Sequence, residues 1–209
     1  MLREEYLIKS TEQLREIFGH TSERIWTKST NVLSDPMRKF IKLSPFCCIC
    51  SHDKDGRADI SPRGDAPGFV KIVDGSTLMI PDRPGNRRYD TFRNIFDVPQ
   101  IAMIFMIPGA LDTLRIAGTA RVSHDPELLA QFPVDGKLPK IVTIITIEEA
   151  YGHCSKAIKR GKIWEEDHKI KAKEAPSLLE MMTAHLTLSN DILIETDEII
   201  EQDAVNNMY

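Results

Sequence analysis

From Phe46 to Ala150 the sequence is a succession of short β-like runs closed by turns, and this run of punctuated strands most constrains the fold. PFCCICSH, DKDG and RADIS read as two strands about a tight turn at Asp55-Gly56. GFVKIV and TLMIP flank Asp74-Gly75, a two-residue hairpin signal with β-branched and aromatic neighbours. QIAMIFMIP is an almost unbroken apolar run, the pattern of a strand buried on both faces. In TLRIAGTARVS, Leu114, Ile116, Ala120 and Val122 share one face, and Arg115, Thr119 and Arg121 the other. KIVTIITIEEA, rich in Ile, Val and Thr, supplies a last strand of about eight residues.

One helix of any length interrupts these strands. It is RRYDTFRNIF, in which Tyr89, Phe92 and Phe96 fall on one face before Val98-Pro99 closes it. Connections this short leave few places for parallel crossovers. The expected fold is mainly β (α+β): a six-stranded antiparallel barrel, closed or partly closed, with helices packed outside.

The flanks are helical in pattern. Ser10 and Gln13 make a possible capping box before Leu14, Ile17 and Phe18, and Asp35-Pro36 reads as an N-cap followed by proline ahead of Met37, Phe40 and Ile41. Beyond Tyr151 the chain turns polar, with a basic stretch from Lys156 to Lys173 and a last apolar segment around 177 to 188. We expect one structural domain of 209 residues: a helical segment (1–45), the barrel (46–170) and a helical extension (171–209).

Composition removes several function classes. A net charge of -4 suggests neither a nucleic-acid tail nor a membrane surface, and aromatic residues are not interleaved with the basic ones. With no signal-peptide core and no run of about 18 apolar residues, the expected location is cytoplasmic. The six histidines form no HxH, HxxH or HExxH pattern, and FCCIC on a strand sends Cys47 to the face opposite Cys48 and Cys50, so no metal site is expected. His153 and Cys154 adjoin in sequence, but a nucleophile and base need mutual placement and an acidic orienter, and none can be named. The four cysteines read as reduced thiols.

The densest chemistry lies in IPDRPGNRRYDTFRN, where Arg83, Arg87, Arg88 and Arg93 fall within eleven residues. With Asn86 as N-cap and two arginines in the first turn, a helix amino terminus there suits a phosphate. The same residues suit a solvated basic face with Arg87 paired to Asp90 or Asp82, and the pattern leaves both readings open. Upstream, RADISPRGDAPG ends an alternating strand in Pro, Gly and charged residues whose backbone could meet a planar heterocycle; as an ordinary turn it would hold an Arg63–Asp65 surface pair. In HCSKAIKRGKIW, His153, Lys156 and Arg160 are spaced along one helical face with Trp164 just beyond.

Taken in order, DPMRKFIKLSPF, DGRADISPRGDAPGFVKIVDGSTLMIPDRPGNRRYDTFRNI, TLRIAGTARV and HCSKAIKRGKIW resemble a bacterial subgroup of the pyridoxamine 5′-phosphate oxidase-like FMN-binding split-barrel flavoproteins, over roughly residues 30 to 170. SPRGDAPGFV and PDRPGNRR together are the specific motifs. The resemblance implies a homodimer of six-stranded split barrels with FMN at the subunit interface. Arg87 and Arg88 would match the family's phosphate-binding pair. Ser61, Arg63, Gly64 and Asp65, with Ile80, Pro81 and Asp82 on the facing strand, would meet the isoalloxazine. Arg115, His153, Lys156, Arg160 and Trp164 would come from the second subunit.

True pyridoxamine phosphate oxidases recognise their substrate through an arginine- and histidine-containing segment near the carboxyl terminus, and the last forty residues here carry no match to it. Relatives also bind deazaflavin or haem. The expected function is therefore an FMN-dependent oxidoreductase acting on a small molecule, with a non-catalytic flavin-binding or storage protein, or a binder of a related cofactor (deazaflavin or haem), as the alternative, and no residue is assigned as catalytic acid or base.

Overall fold

A computed structural model describes residues 3–20, 22, 27–85, 87–171, 174–188 and 190–209. Helix α1 (Thr11–Phe18) is capped by the Ser10 hydroxyl accepting from Gln13 N–H. Helix α2 (Asp35–Leu43) starts one residue earlier than the Asp-Pro signal suggests, with Ser34 as N-cap. The strands are β1 (Phe46–His52), β2 (Ala58–Gly64), β3 (Lys71–Ile72), β4 (Thr77–Pro81), β5 (Gln100–Met106), β6 (Thr113–Ser123) and β7 (Val142–His153). Helix α3 (Asp90–Asp97) lies between β4 and β5, and α4 (Pro126–Leu129) between β6 and β7. After β7 come α5 (Lys156–Gly161), α6 (Glu166–Lys171), α7 (Leu178–Thr183) and α8 (Asn190–Asn206). Among the described residues no helix is long and apolar enough to cross a membrane.

The strands form one antiparallel sheet in the order β2-β1-β5-β6-β7-β4-β3, with seven strands rather than the expected six. The two-residue β3 pairs with β4 alone and ends the sheet. No ladder joins β3 to β2 among the described residues, so the sheet is open and not a closed barrel. It is nonetheless strongly coiled. Five strand spacings would hold β2 and β4 roughly 24 Å apart on a flat sheet, yet Arg63 of β2 and Asp82, just past β4, meet at 2.7 Å.

Part of that coiling comes from the long β6–β7 ladder, where Ala117 pairs with Glu149 but Gly118 pairs with Ile147, leaving Glu148 as the extra residue of a bulge. The inserted residue resets the alternation of β7. Ile145 and Ile147 are buried, Glu148 and Glu149 are exposed, and Ala150 returns to the core. At the bulge the strands approach so closely that a Cβ on Gly118 would lie 2.0 Å from the Thr146 carbonyl oxygen.

The core fills the inner face with Ile49, Leu78, Ile80, Met103, Phe105, Ile116 and Ile145, each worth about 1.5–3 kcal/mol when fully buried. Leu33 and Ile41 of the amino-terminal segment join this cluster, and Thr30 bridges to Ala150, which ties the segment to the sheet. Cys47 points inward and is fully buried, with Cys48 and Cys50 on the other face. Burial pushes the Cys47 thiol up to about 12, so it stays a neutral core residue rather than a nucleophile.

Three expectations need correction. β5 alternates, with Ile101, Met103 and Phe105 buried and its other face half-exposed, so its apolar run is not buried on both sides. In α3 the inward residues are Thr91, Phe92, Asn94 and Ile95, whereas Phe96 is 73% exposed and Tyr89 lies before the helix. β2 does not stop at Ser61 but runs through Pro62 to Gly64, which an edge position permits because a proline there need not donate to the ladder.

Candidate functional site

Coiling of the sheet leaves a cleft of about 1390 Å³ between β2, the loop from Pro81 to Asp90, the segment Lys137 to Ile141 and the chain around Asp203 to Tyr209. A smaller cavity of about 470 Å³ adjoins it at Asp65, Arg83 and Tyr209. One wall is the outer edge of β2, which among the described residues pairs only with β1 and therefore leaves backbone polar groups open to a ligand.

Two ion pairs join the ends of β2 and β4. Arg63 Nη1 donates to Asp82 Oδ1 at 2.7 Å, and Arg83 Nε donates to Asp65 Oδ2 at 2.7 Å. The turn reading, an Arg63–Asp65 surface pair, is thus replaced by two partly buried pairs that cross between segments. Arg83 also donates to the Phe132 carbonyl, so its charge serves the scaffold. Asp65 is almost fully buried, accepting from Ala66 N–H and from the Tyr209 hydroxyl as well. Burial raises the Asp82 carboxyl above its ordinary value, with the Arg63 guanidinium opposing the shift. Arg63 lies 5.5 Å over the Phe92 ring, and its Nε is buried with no hydrogen-bond partner. A buried donor that finds no acceptor within the protein is met by an ordered water or by an acceptor on a ligand in the cleft.

Asn86 lies outside the described residues. The arginines after it do not occupy the first helical turn as expected, because α3 begins at Asp90 with Tyr89 as N-cap in the left-handed region. Arg87 and Tyr89 have φ of 56° and 62°, a conformation costing non-glycine residues of order 1 kcal/mol or more each. Two such residues bracket Arg88 in the cleft wall. Arg88 is paired with Asp90 at 2.7 Å, whereas Arg87 is exposed and makes no ion pair or hydrogen bond among the described residues. The Thr91 hydroxyl bonds Asp59, pinning the start of α3 to β2.

The cleft brings together Ser61, Arg63, Gly64, Pro81, Asp82, Arg87 and Arg88, and Asp65 lines the adjoining cavity. Ile80 does not line it, since its side chain is 2% exposed and packs in the core. Arg115, His153, Lys156, Arg160 and Trp164 are also absent from its walls. They lie at and beyond the end of the β6–β7 ladder: Arg115 is 5.4 Å over Tyr151, Tyr151 neighbours His153 at 6.3 Å, Trp164 Nε1 donates to the Ala110 carbonyl, and Lys156 and Arg160 are on the helix that follows β7. His153 ends β7 and is not on the helix with Lys156 and Arg160, as its spacing had implied. Sequence reasoning missed Tyr89, Lys137, Lys140 and Tyr209. GKLPK was a visible basic signal, but only the β4–β7 pairing places it opposite Asp82, whose N–H donates to Ile141 O.

Residues 33–154, more than half of the chain, match the family described as pyridoxamine 5′-phosphate oxidase. The chain belongs to this family. Structures similar to it include HupZ of Group A Streptococcus (19% identity, TM-score 0.48, covering 59% of this chain and 98% of that one). A candidate pyridoxamine 5′-phosphate oxidase of Lactobacillus delbrueckii shows 20% identity and a TM-score of 0.48, covering 58% and 95%. General Stress Protein 26 of Bacillus anthracis shows 12% and 0.45, covering 56% and 89%. None of these bears on what this chain binds. No curated protein matches it.

Within the family match, the cleft suits a phosphate-bearing planar cofactor on three observations. Among the described residues it carries an unpaired guanidinium at Arg87, an orphan donor at Arg63 Nε and an open strand edge. The donor set is therefore one for an anion joined to a hydrogen-bonding ring.

Proposed function

We propose that this cleft binds FMN and that the chain is an FMN-dependent oxidoreductase acting on a small molecule. What carries the reading is the presence in one cleft of a free Arg87 and the orphaned Arg63 Nε. Arg87 would compensate the phosphate, assisted by Arg88 from its pair with Asp90. Ser61, Gly64 and the edge of β2 would bond the ring, while the Arg63–Asp82 pair fixes the wall behind it. When bound, the flavin supplies the electron transfer; the chain orients it, neutralises its phosphate and excludes water. Titration of the purified protein should show FMN bound at least tenfold more tightly than riboflavin, the two differing by the phosphate. Equal affinities would remove the assignment.

A flavin carrier without turnover is the second reading. It is favoured by Asp65, Asp82 and Asp90 each being held in an ion pair, so that none is a free acid or base. Anaerobic bleaching by a nicotinamide donor, followed by reoxidation in air, would decide for the enzyme.

We further propose a homodimer. Arg115, His153, Lys156, Arg160 and Trp164 do not reach the cleft of their own chain, so they contribute to a flavin site only across a two-fold interface. Light scattering should report twice 23.7 kDa. A monomer that retains flavin would exclude these five residues from the site.

A further inference from the structure

Helix α8 and the residues after it have no role in the flavin reading, yet they end inside the cleft. Their sequence, NDILIETDEIIEQDAVN, carries six carboxylates and no lysine or arginine. Its apolar residues do not build a core, since Ile192, Ile194, Ile199 and Val205 are all exposed. The helix is held at its far end instead. The Tyr209 hydroxyl donates to Asp65 Oδ1 at 3.0 Å, the Arg83 guanidinium lies 5.6 Å over the Tyr209 ring, and Lys137 Nζ donates to the Tyr209 backbone oxygen at 2.9 Å. This latch places Asp203 and Asn207 along both cavities. Opposite them the cleft presents Arg63, Arg83, Arg87, Arg88, Lys137 and Lys140. An acidic segment is thus anchored by its tyrosine in the cleft, with Asp203 lining the same cleft as the exposed Arg87.

We propose that residues 190–209 form an acidic strap that docks in the cleft through Tyr209 and competes with phosphate-bearing ligands for it. This rests on the reading of the cleft as a phosphate site. A ligand that requires the undocked state binds with an affinity reduced by the fraction of chains in that state. The Tyr209 contacts to Arg83 and Lys137, with Asp203 in the cleft wall, supply the differential interaction, because an incoming phosphate would compete for the same basic residues. The docked strap therefore lowers the affinity of the empty protein, and ligand entry releases α8.

Inorganic pyrophosphate serves as the probe. Calorimetric titration of the parent, Tyr209→Phe and Tyr209→Ala proteins should give progressively tighter binding, with Tyr209→Ala about three- to tenfold tighter than the parent. Phenylalanine keeps the ring over Arg83 and loses the bond to Asp65, which puts it between the two. Amide exchange over residues 190–206 of the parent should accelerate when pyrophosphate saturates the cleft. Equal affinities in the three proteins, weaker binding in Tyr209→Ala, unchanged exchange, or no pyrophosphate binding at all would each overturn the strap. Repeating the titrations with FMN separates this from the flavin reading. The pyrophosphate order without FMN binding leaves the strap standing and removes the flavin. FMN bound equally by all three proteins, with unchanged exchange, does the reverse.

Discussion

FMN affinity should fall a few hundredfold when Arg87 and Arg88 are both replaced by alanine, while riboflavin affinity changes little. A hydrogen bond to a charged group contributes about 1.5–3 kcal/mol, and every 1.4 kcal/mol is about tenfold in affinity. Arg87, free of any partner among the described residues, accounts for the larger part. Arg88 must share its charge with Asp90, so its single replacement should cost less than that of Arg87. Neither change should unfold the protein, because both side chains are exposed. Calorimetric titration of the single and double variants, after a thermal melt shows each is folded, would measure this. A double variant that binds FMN as tightly as the parent would eliminate the loop as the phosphate site.

Gly118→Ala should destabilise the fold by about 3 kcal/mol or more and lower the melting temperature by roughly 6–12 °C for a chain of this size. The added carbon would sit 2.0 Å from the Thr146 oxygen and 3.2 Å from the Glu148 nitrogen, both backbone atoms that cannot rotate away. Relief would require the bulge to open and the β6–β7 ladder to flatten. Since that bulge helps bring the ends of β2 and β4 together, the folded remainder of the variant should also bind flavin poorly. Gly152→Ala on β7 is the control: nothing lies within 4 Å of a Cβ there, and its effect should stay within about 0.5 kcal/mol. Urea denaturation of the two variants side by side would test the contrast, and equal stabilities would mean that the close approach at Gly118 carries no weight.

Strand positions were legible in the sequence because alternation and Asp-Gly turns are local signals. The faces of β6 assigned from TLRIAGTARVS are those observed, and Cys47 points away from Cys48 and Cys50 as expected. What failed depended on contacts distant in sequence. SPRG read as a loop because its Pro and Gly are breakers in isolation, yet β1 supplies the pairing that makes it strand. Tyr89 and Phe96 looked like a core face at helical spacing, but the helix starts after Tyr89, which rotates the buried face to Phe92 and Ile95. Within the cleft, Arg63 and Asp82 were legible as members, whereas their pairing was not. Tyr209 gave no signal at all, since its partner Asp65 lies 144 positions away.

The exposed edge of β2 has a consequence for the protein in solution. A free strand edge beside an apolar side chain such as Ile60, itself 63% exposed, is a template on which another extended chain can add. Pro62 interrupts that template, because it brings no N–H with which a second strand could pair. The edge can therefore stay open to a small planar molecule while refusing a polypeptide, so that readiness for a cofactor does not become a route to aggregation.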